Sequence, residues 1–132
     1  MKRDMDLVRA ILLKLEEQEG AQLIPFLPVK GYSPEMVAEH CEMMHGYGLI
    51  KSFTAEKAWG GEIASWAAGG LTWEGYDYLD KIRDDSVWNK TKETIKTKGL
   101  PLIFDTIKSV STAIITAATE GAVNSILKNG GQ

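Results

Sequence analysis

In the stretch LTWEGYDYLDKIRDDSVWNK, residues 71–90, a strand-like run is followed directly by a predicted helix, and this junction indicates the fold. Thr72 is a suitable N-cap for that helix. Apolar side chains then recur at spacings of three, which predicts a buried helix face packed against the base of the preceding element. The residues of this predicted core stripe are Trp73, Tyr76, Leu79 and Ile82.

Two extended runs, LIKSFTAEKA and EIASWAA, precede the helix and are joined at Gly60-Gly61. Two such runs around a Gly-Gly turn predict a β-hairpin. We expect Gly69-Gly70 to break the second arm before the helix begins. Residues 71–90 would then be the joint at which a wing-like hairpin returns to the body of the fold.

The N-terminal part predicts a helix that Asp4 or Asp6 caps, that continues through Glu19 and that Gly20 ends. Its apolar stripe follows a period of about four residues. A short edge strand at residues 22–24 comes next, because Pro25 and Pro28 exclude a central strand. The stripe consists of Leu7, Ile11 and Leu15, widened by Val8 and Leu12.

A second helix is predicted from Pro34 to Tyr47, with Ser33 as its N-cap and Gly48 at its end. Two faces are expected. Val37, Cys41 and Met44 form the buried one, and Glu35, Glu39 and Glu42 form the outward one.

The C-terminal part predicts two more helices. Asp84, Asp85 or Ser86 caps the first, in which Trp88 and Ile95 are expected to be buried. Gly99 closes it, and Pro101 begins a last helix over roughly residues 101–128. Residues 102–127 carry only three charged side chains: Asp105, Lys108 and Glu120.

This order of elements is typical of a winged helix-turn-helix, although only one helix fits between the first helix and the hairpin. The sequence therefore predicts a mostly α fold with a small β-hairpin (α+β). We expect a winged helix-turn-helix-like domain over residues 1–83 and a C-terminal helical extension over residues 84–132. The extension would pack on that domain or form a dimer.

Three blocks of the chain resemble a bacterial and phage winged-helix-like family, domain of unknown function 2513. They are MKRDMDLVRAILLKLEE, GYSPEMVAEHCEMMHGYGLI and LTWEGYDYLDKIRDDSVWNKTKETIKTKG. The resemblance covers most of residues 1–99. It implies a winged-helix core of bacterial or prophage origin and carries no activity.

Composition favours an ordinary soluble protein: the net charge is −3 and Cys41 is the single cysteine, which fits a reducing cytoplasm. No run of about 20 consecutive apolar residues occurs, so no membrane span is predicted. His40, Cys41 and His45 supply too few converging ligands for zinc, and they do not form a nucleophile–base pair with an orienting group. We therefore predict neither an enzyme nor a cofactor or metal site.

A DNA-binding regulator is the alternative function. The helix before the wing presents carboxylates, which repel phosphate, so DNA binding is not favoured. Lysines elsewhere are the alternative backbone contacts: Lys51, Lys57, Lys90, Lys92 and Lys96. The leading prediction is a non-enzymatic protein-interaction or regulatory module with an unidentified protein partner. Its candidate contacts are Glu35, Glu39, His40 and Trp59, the last at the wing tip.

The last helix gives the clearest functional signal, because a helix this poor in charge has to bury more than one narrow face. It can pack on its own domain, pair with a second copy or lie on a membrane surface. We predict a homodimer, with Ile107, Val110 and Ile114 at the contact. The small side chains of Ala113, Ala117 and Gly121 would allow close helix approach.

Overall fold

The computed structural model describes residues 1–130, with side chains to Lys128. Over that range it contains five helices and a three-stranded antiparallel sheet, so the predicted α+β class is confirmed. The elements are α1 (Met5–Glu16), β1 (Ile24–Pro25), α2 (Pro34–Tyr47), β2 (Ile50–Lys57), β3 (Ile63–Leu71), α3 (Trp73–Ile82), α4 (Asp85–Thr97) and α5 (Phe104–Gly130).

The chain divides into two compact units, Met1–Asp80 and Lys81–Gln132. The sequence placed this boundary at residues 83 and 84, close to the end of α3. In the first unit, α1 packs on α2 and on β3, and the apolar stripe of α1 is buried. In the second unit, α4 packs on the N-terminal half of α5.

The first two helices begin at the predicted caps. Asp4 Oδ1 accepts a hydrogen bond from the Leu7 N–H at 3.0 Å, and Ser33 Oγ accepts one from the Met36 N–H at 3.2 Å. α2 ends at Gly48, whose φ of 106° suits glycine. α1 stops at Glu16, three residues before the predicted end.

The sheet has the strand order β1-β3-β2. The hairpin is confirmed, and so is the short edge strand, shifted by one to two residues to include Pro25. The predicted break at Gly69-Gly70 is wrong, because β3 continues through both glycines and Gly69 pairs with Ser52. The glycines allow close approach instead: a Cβ on Gly69 would overlap the carbonyl oxygen of Gln22.

α3 is capped as predicted, since the Gly75 N–H donates to Thr72 Oγ1 at 3.0 Å. Leu79 and Ile82 are buried, but Trp73 is 81% exposed and Tyr76 is 44% exposed, so their predicted place in the core is wrong. Residues spaced by three shift around a helix by about 60° at each step. Trp73 therefore lies on the opposite side of α3 from Ile82.

In the second unit, Asp84 caps α4 by accepting from the Val87 N–H at 3.1 Å. Trp88 and Ile95 are buried, as predicted. The last helix begins at Phe104 rather than at Pro101, and the residues between Gly99 and Phe104 are irregular. α5 is therefore shorter at its start than its composition predicts.

Candidate functional site

α5 exposes most of its apolar surface. Its 27 residues make a helix about 40 Å long, yet only Ile107 and Ser111 are buried among its described side chains. From Thr112 to Lys128 every side chain is half-buried or exposed. The largest exposed apolar side chains in this half are Val123, Ile126 and Leu127. A helix in a closed core would bury such residues.

The N-terminal half of α5 is already occupied within its own unit. Ile107 is completely buried, so its predicted place at a dimer contact is wrong. One turn later, Ser111 is also buried, and its hydroxyl donates to the Ile107 carbonyl at 2.6 Å. That internal bond satisfies the serine and lets a polar residue pack beside α4.

An open groove of about 650 Å³, the α4–α5 groove, lies beside this packed side. Val110 and Ile114, two of the predicted dimer contacts, are both half-buried and lie in it. Gly121 continues the same side of α5 one turn beyond Ala117. The lining residues are Lys90 and Thr94 from α4, and Ser109, Val110, Ala113, Ile114, Ala117 and Ala118 from α5.

The sequence pattern does not single out Thr94, and it gives Lys90 only as one of the alternative DNA-backbone candidates. Their spacing of four on α4 is the signal that places both side chains on one helix face. The local sequence pattern does not show which face of α4 packs against α5.

The groove side of α5 carries little charge. Between Ser109 and Leu127 the only charged residue is Glu120. Asp105 and Lys108, one turn earlier, lie 3.9 Å apart and form an ion pair with each other. Two identical copies of this surface can therefore meet without strong like-charge repulsion.

Phe104–Lys128 is also long and apolar enough to cross a membrane, by length and composition alone. Only 6% of an 18-residue apolar window of this helix is buried, which distinguishes it from the core helix of a closed domain. The sequence prediction of no span rested on the absence of a continuous apolar run, and threonines and serines interrupt this helix throughout.

The outward face of α2 is acidic, as the sequence indicates. Glu35 and Glu39 are exposed, and Glu42 forms an ion pair of 3.4 Å with Lys57 on β2. Lys57 is thus partly neutralised, while Lys51 is exposed. These charges make α2 a poor surface for a phosphate backbone.

The lysines of α4 belong to the second unit. Lys90 lines the α4–α5 groove, and Lys96 is exposed. The Lys92 ammonium lies 5.3 Å from the centre of the Trp88 ring, a cation–π distance. Lys92 therefore has a role in covering Trp88 that needs no nucleic acid.

His40 is completely buried, so its proposed place among exposed partner contacts is wrong. Its Nδ1–H donates to the Met36 carbonyl at 2.8 Å, and its Nε2 accepts from the Asp4 N–H at 2.9 Å. The ring thereby ties α2 to the start of α1. Trp59 is fully exposed beside Gly60, as predicted.

Cys41 is buried, and burial raises the pKa of its thiol to about 12. The reactive thiolate is therefore scarce at neutral pH. His45, one turn away, is exposed and lies near the Phe53 ring. Across the part of the chain whose side chains are described, no group of three histidine, cysteine or acidic residues is arranged to hold a metal ion.

Comparisons with known proteins give one family and one relative. The model of the family described as "Hypothetical protein (DUF2513)" matches residues 2–101, which end before α5. An "Uncharacterized protein" of Haemophilus influenzae is 43% identical over 118 residues, covering 88% of this chain and 97% of that protein. No solved structure matches the chain.

Proposed function

This chain belongs to the family described as hypothetical protein (DUF2513), and on that premise we propose that it is a non-enzymatic interaction module that assembles through α5. The open α4–α5 groove, whose α5 side is nearly uncharged, is the observation that carries the proposal. The occupant of the α4–α5 groove is α5 of a second copy. The first unit is the regulatory part, a winged-helix-like scaffold that meets a protein partner in the cytoplasm.

Burial of apolar side chains is the force available for this assembly. Full burial of a valine or isoleucine stabilises by about 1.5–3 kcal/mol, and Val110 and Ile114 of each copy have only part of that left to gain. The small side chains of Ala113, Ala117 and Gly121 let two helices approach closely, which adds contact along the groove. Against an association cost of at least about 4 kcal/mol, we expect a weak dimer that dissociates on dilution.

A membrane is the competing occupant, and α5 is less suited to it. Residues 112–128, the part that α4 leaves uncovered, span roughly 25 Å, less than a hydrocarbon core of about 30 Å. A helix that lies on a membrane surface usually has a basic polar face. In the described part of α5 the basic residues are Lys108 and Lys128 alone.

Duplex DNA is not proposed as the partner of the first unit, because Glu35 and Glu39 stand on the exposed face of α2. The same carboxylates, together with exposed Trp59 at the wing tip, favour a protein surface with basic and apolar groups. Weak retention on duplex DNA at low salt, without a steep salt dependence, is the result expected from this surface.

Two matched variants test assembly through the groove. Ala117→Glu places a charge in the groove, and Thr119→Glu places the same charge about 200° around α5, on the side away from the groove. Both positions are exposed, so neither change disturbs a core. Sedimentation velocity over a range of concentrations should show a monomer–dimer equilibrium for the wild type and for Thr119→Glu, and a monomer for Ala117→Glu.

A wild-type chain that stays monomeric at high micromolar concentration contradicts the proposal. Equal loss of the dimer in both variants also contradicts it, because the contact would then lie outside the groove. Binding to lipid vesicles that competes with dimer formation would assign α5 to a membrane instead.

A further inference from the structure

A second concave surface lies in the first unit, far along the sequence from α5. This Phe26 pocket has a volume of about 420 Å³ and lies among the second half of α1, residues 26–32 and the start of α2. Its volume falls in the range of small-molecule sites. The lining residues are Lys14, Phe26, Leu27, Pro28, Val29, Lys30, Tyr32, Pro34 and Val37.

The charge of the lining is uniformly positive. Apolar side chains form most of the wall, and the ionised groups are the ammonium groups of Lys14 and Lys30. Neither lysine has an ion-pair partner among the described residues, and no acidic side chain lines the pocket there. In a chain of net charge −3, two lysines without counterions at an apolar pocket are complementary to an anion.

Tyr32 lines the pocket, but its hydroxyl proton is engaged in a hydrogen bond within the protein. The Tyr32 hydroxyl donates to Asp4 Oδ2 at 3.1 Å, and burial, then this hydrogen bond, raises the pKa of Tyr32. The phenol stays neutral and adds no negative charge to the lining. Lys14 and Lys30 are the ionised groups of the lining itself, while the carboxylates of Asp4 and Asp6 act on the Tyr32 side of the pocket.

Phe26 forms one wall in a backbone conformation that side chains other than glycine rarely adopt, with a φ of 48°. Two contacts hold it there: its N–H donates to the Trp66 carbonyl at 3.0 Å, and its ring meets the Trp66 ring edge-on at 6.3 Å. The ring is nonetheless 52% exposed beside the pocket. Unfavourable backbone geometry of this kind concentrates at ligand sites.

We propose that the Phe26 pocket binds a small organic anion with one acidic head group and an apolar body, such as a monocarboxylate. The ammonium groups of Lys14 and Lys30 hold the head group, and Phe26, Leu27 and Val29 contact the body. This site is independent of α5 and of self-association.

The test uses decanoate as the probe, with decanol as a neutral molecule of the same chain length. Backbone amide spectra of the full chain, recorded during titration below the micelle concentration, locate the binding site. We expect decanoate to shift the amides of residues 26–37 with saturation, and decanol to bind at least about fivefold more weakly. Shifts confined to α5, or equal affinity for both probes, would overturn the proposal.

Three variants check the residues. Lys14→Gln with Lys30→Gln should weaken decanoate binding by about fivefold and leave decanol binding unchanged. Lys51→Gln, an exposed lysine of β2 outside the pocket, should leave both affinities unchanged. Phe26→Gly suits the left-handed backbone, so it should fold with an unchanged spectrum elsewhere and bind both probes more weakly. Unchanged decanoate affinity in the double lysine variant would refute the site.

Discussion

α2 and α5 are both long helices with apolar residues, but the structure uses them differently. α2 has 14 residues, a serine cap at its start, a left-handed glycine at its end and five buried side chains. α5 has 27 residues, and burial ends at Ser111 near the middle of its first half. Apolar content alone therefore does not indicate whether a helix belongs to a core.

Whether an apolar residue is buried depends on the elements that pack against its helix and not on its apolar character alone. Val37, Cys41 and Met44 share one face of α2 and are buried because α2 packs on α1 and on the sheet. Beyond Ser111, no described element of the second unit buries a side chain of α5. Its exposed residues are thus free for a contact with another molecule.

Truncating one leucine in the core of the first unit and one in the exposed half of α5 should give the largest difference in stability. Leu12 on α1 is fully buried, and Leu127 on α5 is 67% exposed. Leu12→Ala should lower the free energy of unfolding by about 2–5 kcal/mol, because it leaves a cavity. Leu127→Ala should change it by less than about 0.5 kcal/mol. Urea denaturation of both variants checks this, and equal losses would mean that the end of α5 is a core element.

Adding a methyl group to a glycine in each region should give effects of opposite sign. A Cβ on Gly75 would lie within van der Waals overlap of the Leu49 carbonyl oxygen, whereas one on Gly121 would meet nothing within 4 Å. Gly75→Ala should destabilise the first unit by about 1–3 kcal/mol. Gly121→Ala should increase the helix content of α5, because alanine is favoured over glycine within a helix by up to about 1 kcal/mol. Thermal unfolding and far-ultraviolet circular dichroism of dilute samples distinguish these outcomes.

Removing one hydroxyl from the first unit and one from α5 should give the smallest difference in stability. Tyr32→Phe loses the hydrogen bond to the carboxylate that caps α1 and should cost about 1 kcal/mol. Ser111→Ala loses only a bond within its own helix and gains helix propensity, so it should be neutral to within about 0.5 kcal/mol. A larger cost for Ser111→Ala than for Tyr32→Phe would reverse the comparison.

Much of the fold follows from local sequence chemistry. The caps at Ser33, Thr72 and Asp84 each use a side-chain oxygen within three residues of its partner, so short-range pattern suffices to identify them. The glycine that ends α2 was predictable for the same reason.

The wrong predictions concern contacts between elements distant in sequence. The sequence predicts a strand break at Gly69 because the role of this glycine, the close approach of Gln22, depends on β1 lying beside β3. The spacing of three predicts a core position for Trp73, but residues at that spacing move progressively around the helix, and Trp73 is exposed. His40 and Ile107 are buried by contacts with other elements, α1 for His40 and α4 for Ile107, which a local sequence pattern does not show.

Hydrogen exchange of the α5 amides at two protein concentrations tests the central claim most directly. If α5 assembles with a second copy, amides of residues 112–128 should exchange more slowly at high concentration, while those of α2 exchange at the same rate at both. Thr119→Glu should keep this dependence, and Ala117→Glu should abolish it. Equal exchange of residues 112–128 at both concentrations in the wild-type chain would contradict the account.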